Sequence, residues 1–599
     1  MATPLTDQQW QKLPTHPRLF ADDARIAVLK TQNDDVSQQL LALLRSEADK
    51  ELHAAPIVYP NQGFLMGPMR EVQGRILTLA LMYRLSGEKR YFERARQELL
   101  QLTALSEWRP LHFLDVGEGA LAAGIGLDWL YDDLTPQERE QIADAIVKNA
   151  LIPSLDVSVG GASWMNGDFN WNPVCNAGLT VGALAVFERE PKLARQVIER
   201  AIQSLPFAAA TYAPDGTYPE GPSYWSYGTT FYVIMIEALR SSLGTSLDLT
   251  NAPGFLETTD FMAQMQTPSS EEYNFSDYHS GEARSLSEPV MLWFAREKRN
   301  RSSAHNELKN LETLFASLQT TGTARHASRH LALEFLWWDP ALPPSEVDDT
   351  LPLHWTAGGK LPLAVLRTAW NSPRATYVAV KGGTPDGSHA HMDGGSFILE
   401  ANGVRWALDL GTESYDKMRA TNLDLWNYSQ ESSRWTTFRV GPEGHNILRF
   451  DGARQNVSGN AEIRALPDEN GVKGNAVVLS SLYKNQVERA LRTVRLFPDG
   501  SVSFHDEWKT GERGVQVSWQ WLTRATITRT LSGVLLKQAG ESLELKIESP
   551  TPFRITIEDV SRPRNPQDSP NPGLSRVVVH LQTAARSEGK LEIQAIPGR

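Results

Sequence analysis

Three short stretches of this chain hold residues whose types and spacing could do chemistry. The first is Gly387-Ser-His389-Ala-His391-Met-Asp393-Gly-Gly-Ser-Phe397. In extended backbone, residues two apart point to the same side, so His389 and His391 share a face. Downstream, Asn402-Gly403 is a two-residue hairpin turn that pairs Ala401 with Val404. Counting back along that ladder puts Asp409 opposite Ser396, close to the histidines. Gly444-His445-Asn446 follows. Two imidazoles and one carboxylate, from His391, Asp409 and His445, suit a divalent metal such as zinc. The same spacing serves equally well for a hydrogen-bonded histidine pair without metal.

The second stretch is Asn170-Trp171-Asn172-Pro-Val-Cys-Asn176. Pro173 fits the first turn of a helix, with Asn172 as its N-cap, and capping alone would account for Asn172. Asn176, one turn on, shares a face with it. Two carboxamides at a helix start form an uncharged donor cluster suited to a carboxylate. The third stretch is Asp215-Gly-Thr-Tyr-Pro-Glu220-Gly-Pro-Ser-Tyr224-Trp-Ser-Tyr227. Tyr224 and Tyr227 lie three apart at the point where a loop hands over to a helix. Two packed aromatics would give the same pattern. Ser276-Asp277-Tyr278-His279 precedes another helix. Tyr415 and Tyr428 lie between Asp409 and His445, and Lys381, Arg434 and Arg439 could bring positive charge to the same region. Taken singly, each of these is accounted for by structure.

These groups need two kinds of support. Residues from about 20 to 335 carry apolar side chains at helical spacing. Glu71–Tyr83 is one helix, closed by Ser86-Gly87, and Tyr91–Leu105 repeats the pattern. Thr135-Pro-Gln-Glu138 is a capping box with proline in the first turn. Further helices cover about 119–130, 172–188, 191–205, 224–244, 286–299 and 303–318, ten to twelve in all. Such a region without a fixed repeat fits an incomplete α/α toroid over residues 1–340. Residues 341–360, rich in proline and acidic residues, read as a linker. From 361 to 599 the period becomes two, with Asn-Gly and Asp-Gly turns, as in an antiparallel β-sandwich.

Composition narrows the function. The chain has 599 residues, 41% of them hydrophobic and 22% charged, which is the make-up of globular domains. A net charge of −12 argues against general binding to nucleic acid or acidic membrane, though an acidic substrate needs only local positive potential. The single cysteine, Cys175, excludes an intramolecular disulfide and a multi-cysteine metal cluster. No apolar run is long enough to span a membrane, and the first ten residues lack a leader pattern. The expectation is a cytoplasmic chain, or a periplasmic or secreted one if a leader precedes it. Seventeen tryptophans exceed the usual share; most belong in the core, and some can serve as sugar platforms.

Together these segments resemble the heparinase II/III-like superfamily of bacterial polysaccharide lyases. The resemblance runs over nearly the whole chain. It begins with His16-Pro-Arg-Leu-Phe20, continues through the Asn170–Asn176 and Asp215–Tyr224 segments, and takes in His389-Ala-His391-Met-Asp393, Asp409-Leu-Gly and Gly444-His445-Asn446. It implies an α/α toroid followed by β-sandwich layers. It also implies β-elimination on an acidic polysaccharide or oligosaccharide, glycosaminoglycans first and alginate as the alternative, by a monomer or homodimer. Tyr224 matches the family's catalytic tyrosine, and His389 the histidine that faces the substrate carboxylate or C5 proton. Asn172, with Asn176, takes the place of the carboxylate-neutralising groups, where other members carry histidine or glutamate. His279 is a further candidate. His391, Asp409 and His445 match the ligands of one divalent ion, structural in role, with zinc ahead of manganese. Trp171, Tyr227, Tyr415, Tyr428 and Arg434 are the candidates to line the saccharide site.

The elimination sets its own requirements. The C5 proton of a uronate is barely acidic beside a charged carboxylate, so donors must quench that charge as an enolate forms. A tyrosine has an ordinary pKa near 10 and needs a cationic neighbourhood to act as base. A rival enzyme reading is a glycoside hydrolase on an α/α toroid, with carboxylates drawn from Asp115, Glu118 and Glu220. A non-catalytic glycan-binding protein is the other rival.

Overall fold

The computed structural model describes residues 5–156, 162–269, 271–278, 288–324, 327–343 and 351–598. It resolves into two compact units. One comprises Met1–Tyr212, Tyr224–Thr259 and Ala283–Ser345; the other comprises Ala213–Ser223, Asp260–Glu282 and Glu346–Arg599. Two stretches embedded in the helical half of the sequence thus belong to the second unit.

The first unit is helical. Its long helices include Met66–Ser86, Lys89–Thr103, Phe113–Trp129, Trp171–Ala185, Pro191–Ala209 and Pro222–Leu243. Thr135 caps Pro136–Ile146 with the reciprocal Glu138 bond that its sequence dictates. Phe113–Trp129 buries every residue, so it has no solvent face and sits at the centre of the packing. Its glycines allow Trp171–Ala185 to approach closely. A Cβ at Gly178 would fall 1.9 Å from the Gly117 carbonyl oxygen, and one at Gly124 would fall 3.1 Å from Gly182 Cα. This backbone-to-backbone seam fixes the start of Trp171–Ala185, where the two asparagines sit. None of the described helices is long and apolar enough to cross a membrane.

The second unit is built on three antiparallel sheets. β1–β5 are His354–Ala357, Leu363–Arg367, Tyr377–Lys381, Phe397–Ala401 and Val404–Ala407, and they pair in sequence order. β1 falls inside the stretch read as linker, because Trp355 and Ala357 point inward and pair with β2. β6–β11 are Leu448–Phe450, Glu462–Glu469, Val472–Val478, Arg489–Leu496, Val502–Lys509 and Val515–Thr523. β12–β17 are Thr526–Arg529, Gly533–Gln538, Glu541–Glu548, Phe553–Asp559, Ser575–Thr583 and Glu588–Pro597. Eight strands run in the order β12-β13-β14-β17-β10-β9-β8-β7, and four in the order β15-β16-β11-β6. Phe397, Trp406, Phe504, Trp519, Trp521 and Val577, drawn from all three sheets, share one core.

The Asn402-Gly403 turn pairs Ala401 with Val404, both turn residues having positive φ, as the sequence requires. The ladder then slips. Leu399 faces Ala407 rather than Trp406, and pairing ends there, so Asp409 is not opposite Ser396.

Candidate active site

The histidine segment of the second unit is a turn, not a strand. His389 has φ 61°, a left-handed conformation that a non-glycine residue rarely adopts and that often marks functional sites. His389 and His391 are brought together by a carboxylate instead of by strand alternation. Asp277 Oδ2 lies 2.8 Å from His389 Nδ1, and its Oδ1 lies 3.1 Å from His391 Nε2. Burial alone would push the Asp277 carboxyl up. The bonds to the two histidines, with the Arg434 guanidinium 3.7 Å away, hold it well below the usual range. The segment that delivers Asp277 is tied down by Asn274, which donates to the Asp409 carbonyl at 2.8 Å, and by Thr412 N–H, which donates to the Tyr278 carbonyl at 2.9 Å. Gly411 has to be glycine: a Cβ there would sit 2.2 Å from the Tyr278 oxygen.

Aromatic groups enclose the His389 ring. The Tyr415 hydroxyl donates to Asp277 Oδ2 at 2.7 Å and lies 2.9 Å from His389 Nδ1. The Tyr428 hydroxyl accepts from the His389 amide at 3.0 Å. Trp426, 49% exposed, meets the imidazole edge-on at 5.2 Å. His389 Nε2 is 3.4 Å from Glu220, which also accepts from Ser388. Arg434 is fully buried, stacks on Tyr428, and donates to the Leu425 and Ala390 carbonyls, so its charge reaches the site through Asp277. Arg439 donates to Asn571 and the Thr412 carbonyl.

Beside this cluster, His391, Asp393 and His445 each offer a ligand atom, all within 4.8 Å of one another and all buried. Each residue is held from behind: His391 by Asp277, Asp393 by Lys381 at 2.5 Å, and His445 by Asp409 at 2.8 Å. Each also keeps one buried atom without a hydrogen-bond partner, namely His391 Nδ1, Asp393 Oδ2 and His445 Nε2. Three such orphans are costly unless a water or a cation receives them. The donor set of two nitrogens and one oxygen fits a divalent ion. Asp409, grouped with the histidines on sequence, bonds His445 Nδ1, and the carboxylate whose oxygen lies within 4.8 Å of a nitrogen of each histidine is that of Asp393. Burial would lower the His445 pKa, but Asp409 raises it; the same histidine holds Asp409 low against its own burial. Asn446 sets the position of His445 by donating to the Phe397 and Leu408 carbonyls and accepting from Leu522 N–H.

The first unit brings the two asparagines together. The helix starts at Trp171, so Asn172 lies inside the first turn, and its side chain does not cap. Its Nδ2 donates to the Gly167 and Ser204 carbonyls at 3.0 and 3.1 Å, and its Oδ1 accepts from Asn176 at 3.0 Å. Both amides are fully buried. Tyr224, half-buried, sits in the first turn of Pro222–Leu243. The Tyr227 hydroxyl donates to Glu118 at 2.8 Å. Trp171 packs edge-on against His112 at 4.9 Å. Asp115 is buried and accepts from Leu65 N–H at 2.7 Å, and Glu118 is buried among arginines, so neither is placed like a hydrolase carboxylate. His279 lies outside the described residues.

Asp277 is marked in the sequence without the two histidines it joins. It stands 112 positions from His389, and its only signal was the polar Ser276–His279 run. Asp393 and Lys381 were in view without their pairing.

Geometry of this kind defines a class before it defines a protein: a helical region followed by antiparallel sheets, with a histidine turn on the sheet side. Residues 357–574 match the family model described as "Heparinase II/III-like, C-terminal". Among solved structures, the chain is similar to heparinase III, at 14% identity and TM-score 0.57, over 99% of this chain and 94% of that one. It is also similar to a mutant of the heparan sulfate lyase HepC from Pedobacter heparinus, at 15% identity and TM-score 0.55, over 99% and 87%. These likenesses establish the fold, an α/α toroid followed by a β-sandwich. No curated protein matches the sequence.

Proposed function

We propose that the chain is a polysaccharide lyase that cleaves uronic-acid-containing chains, glycosaminoglycans first, by β-elimination to 4,5-unsaturated uronate ends. The observation that carries this reading is the His389 turn: a strained, aromatic-lined imidazole whose Nδ1 is fixed by buried Asp277. It lies in the segment that matches the heparinase II/III-like model, and the structures of like fold are named as heparinase III and a heparan sulfate lyase.

The residues divide the work as follows. Asp277 and Tyr415 hold Nδ1, so Nε2, which lies 3.4 Å from Glu220, is the nitrogen that addresses substrate, with Glu220 beside it. His389 binds the uronate carboxylate or takes the C5 proton. The Tyr224 phenol protonates the C4 oxygen as it leaves; in a syn elimination Tyr224 starts as the phenolate, takes the C5 proton, and passes that same proton to the C4 oxygen. Asn172 and Asn176 have their donors committed to Ser204 and Gly167, so their part is to set the ground on which the carboxylate is neutralised. Tyr428 and Trp426 give the sugar an apolar wall. A structural divalent ion, zinc or else manganese, would be held by His391, Asp393 and His445 and would supply rigidity there. His391 passes that rigidity to His389 through their shared Asp277.

The test is a screen of hyaluronan, chondroitin sulfate, heparan sulfate and alginate, followed by ultraviolet absorption of the conjugated product. Tyr224→Phe and His389→Ala are expected to abolish the signal while the circular dichroism spectrum is kept. Normal turnover in either variant removes that residue from the reaction, and no ultraviolet product from any polymer rejects the reading.

A further inference from the structure

Glu118 organises a second polar cluster, within the helical unit. It is fully buried and accepts from Gln73 at 2.7 Å, from Arg329 at 2.6 and 3.0 Å, from Arg70 Nε at 3.1 Å and from the Tyr227 hydroxyl at 2.8 Å. Burial would push this carboxyl up, but the two guanidiniums hold it below its ordinary value. Two guanidiniums against one carboxylate leave the cluster with a positive charge in excess.

The two arginines are used differently. Arg329 turns both of its Nη groups into the protein, to Glu118 and to Gln73 Oε1. Arg70 gives Glu118 only its Nε. Its guanidinium lies over the Tyr227 ring, 4.6 Å from the centroid, and the side chain is 41% exposed. No carboxylate or carbonyl of the described residues receives its Nη protons. A guanidinium fixed at Nε by Glu118, stacked on the Tyr227 ring and held by the Tyr227 hydroxyl, with Nη protons that no carboxylate of the described residues takes, is preorganised for a planar or tetrahedral oxyanion. Tyr227 is three residues from Tyr224 on the same helix, so the two share a face, about 5–6 Å apart at Cβ. The ring that Arg70 covers is therefore one helical turn from the position of Tyr224.

We propose that Arg70, positioned by Glu118 and Tyr227, receives an acidic group of the saccharide, a uronate carboxylate or a sulfate ester, beside Tyr224. The proposal rests on the lyase reading for the identity of the ligand and for the role of Tyr224. Arg70 is a substrate-binding residue; Glu118 is a positioning residue.

Calorimetric titration of the full chain in a Tyr224→Phe background tests it, with a heparan sulfate oligosaccharide in one arm and its desulfated counterpart in the other. Arg70→Ala is expected to weaken binding roughly 10- to 100-fold, the worth of a charge-assisted bond. Arg70→Lys is expected to recover little, because it keeps the charge and loses the fork. Equal loss in both arms assigns a carboxylate, and loss in the sulfated arm alone assigns a sulfate. Glu118→Gln should weaken binding by itself yet add nothing in the Arg70→Ala background, a non-additivity that general destabilisation does not produce. Arg70→Ala leaves Glu118 its other three partners, so the fold survives. Unchanged affinity in both arms overturns the proposal even if Tyr224→Phe has abolished turnover. If the wild-type chain makes no ultraviolet product, the lyase reading fails, and the same titrations on the wild-type background still decide Arg70.

Discussion

Asp277 serves two histidines at once, and that is its weakness as well as its use. One oxygen fixes the His389 tautomer and the other holds His391. Asp277→Asn keeps the shape but turns one acceptor into a donor, so one imidazole must flip or lose its bond. Such supporting partners are worth roughly 10- to 100-fold in activity. We expect kcat to fall by that much with KM little changed, read from the ultraviolet rate. Turnover equal to wild type would show that His389 does not depend on Asp277. The neighbouring triad makes a separate prediction. His391, Asp393 and His445 present three orphaned atoms, whereas Asp409 meets His445 at its far nitrogen and accepts from the Gly411 amide. Elemental analysis of the purified chain should therefore find a stoichiometric divalent ion. Asp393→Asn should strip it, while Asp409→Asn should weaken its retention on dialysis about 10- to 100-fold. An ion retained by Asp393→Asn and lost from Asp409→Asn would reverse the two assignments.

At the scale of elements, the asparagine pair depends on the glycine seam behind it. Gly178 packs its Cα against the Gly117 carbonyl, and an added methyl would meet that oxygen at 1.9 Å. Backbone cannot yield as a side chain can. Gly178→Ala should cost about 3 kcal/mol, the upper end for overpacking, and show as a lowered melting transition of the helical unit. A melting point equal to wild type would mean that the seam can open. The contrast with Asn172 shows what was legible beforehand. The Thr135 cap and the Asn402-Gly403 turn were readable because each is settled within four residues. Asn172 looked like a cap for the same local reasons. Its carboxamide instead found Ser204, thirty-two residues away, which no local pattern announces. The bulge at Trp406 likewise erased a register count that was sound up to Glu400. The histidine motif pointed to the right neighbourhood, but His389 and His391 meet through a left-handed turn and a distant carboxylate, neither of which strand periodicity contains.

At the scale of the whole molecule, charge governs how stability responds to pH. The chain carries a formal −12 at neutral pH, so self-repulsion grows as pH rises. His16, in the N-terminal segment, adds a specific contribution. Its ring stacks on Tyr131 at 4.1 Å, Nδ1 lies 2.6 Å from buried Asp128, and Nε2 lies 3.4 Å from Glu188. Asp128 also accepts the Arg18 and Leu19 amides, which makes this clasp the anchor of the N-terminal segment. Burial lowers the His16 pKa and Arg18 opposes the charge, but the two carboxylates outweigh both and raise it. A histidine that binds its proton more tightly when folded stabilises the fold fully below its unfolded pKa, about 6.5. That contribution is lost as pH climbs through the raised folded value. Glu188, held at about 2 against its own burial by bonds from His16 and Arg18, stabilises above its ordinary range and fails only in strong acid. The expected outcome is a melting temperature that falls between pH 6 and pH 9. His16→Gln should lower it most at pH 6 and flatten the slope. Parallel melting curves for the two proteins across that window would show that His16 titrates alike in the folded and unfolded chain, and that net charge alone sets the alkaline limit.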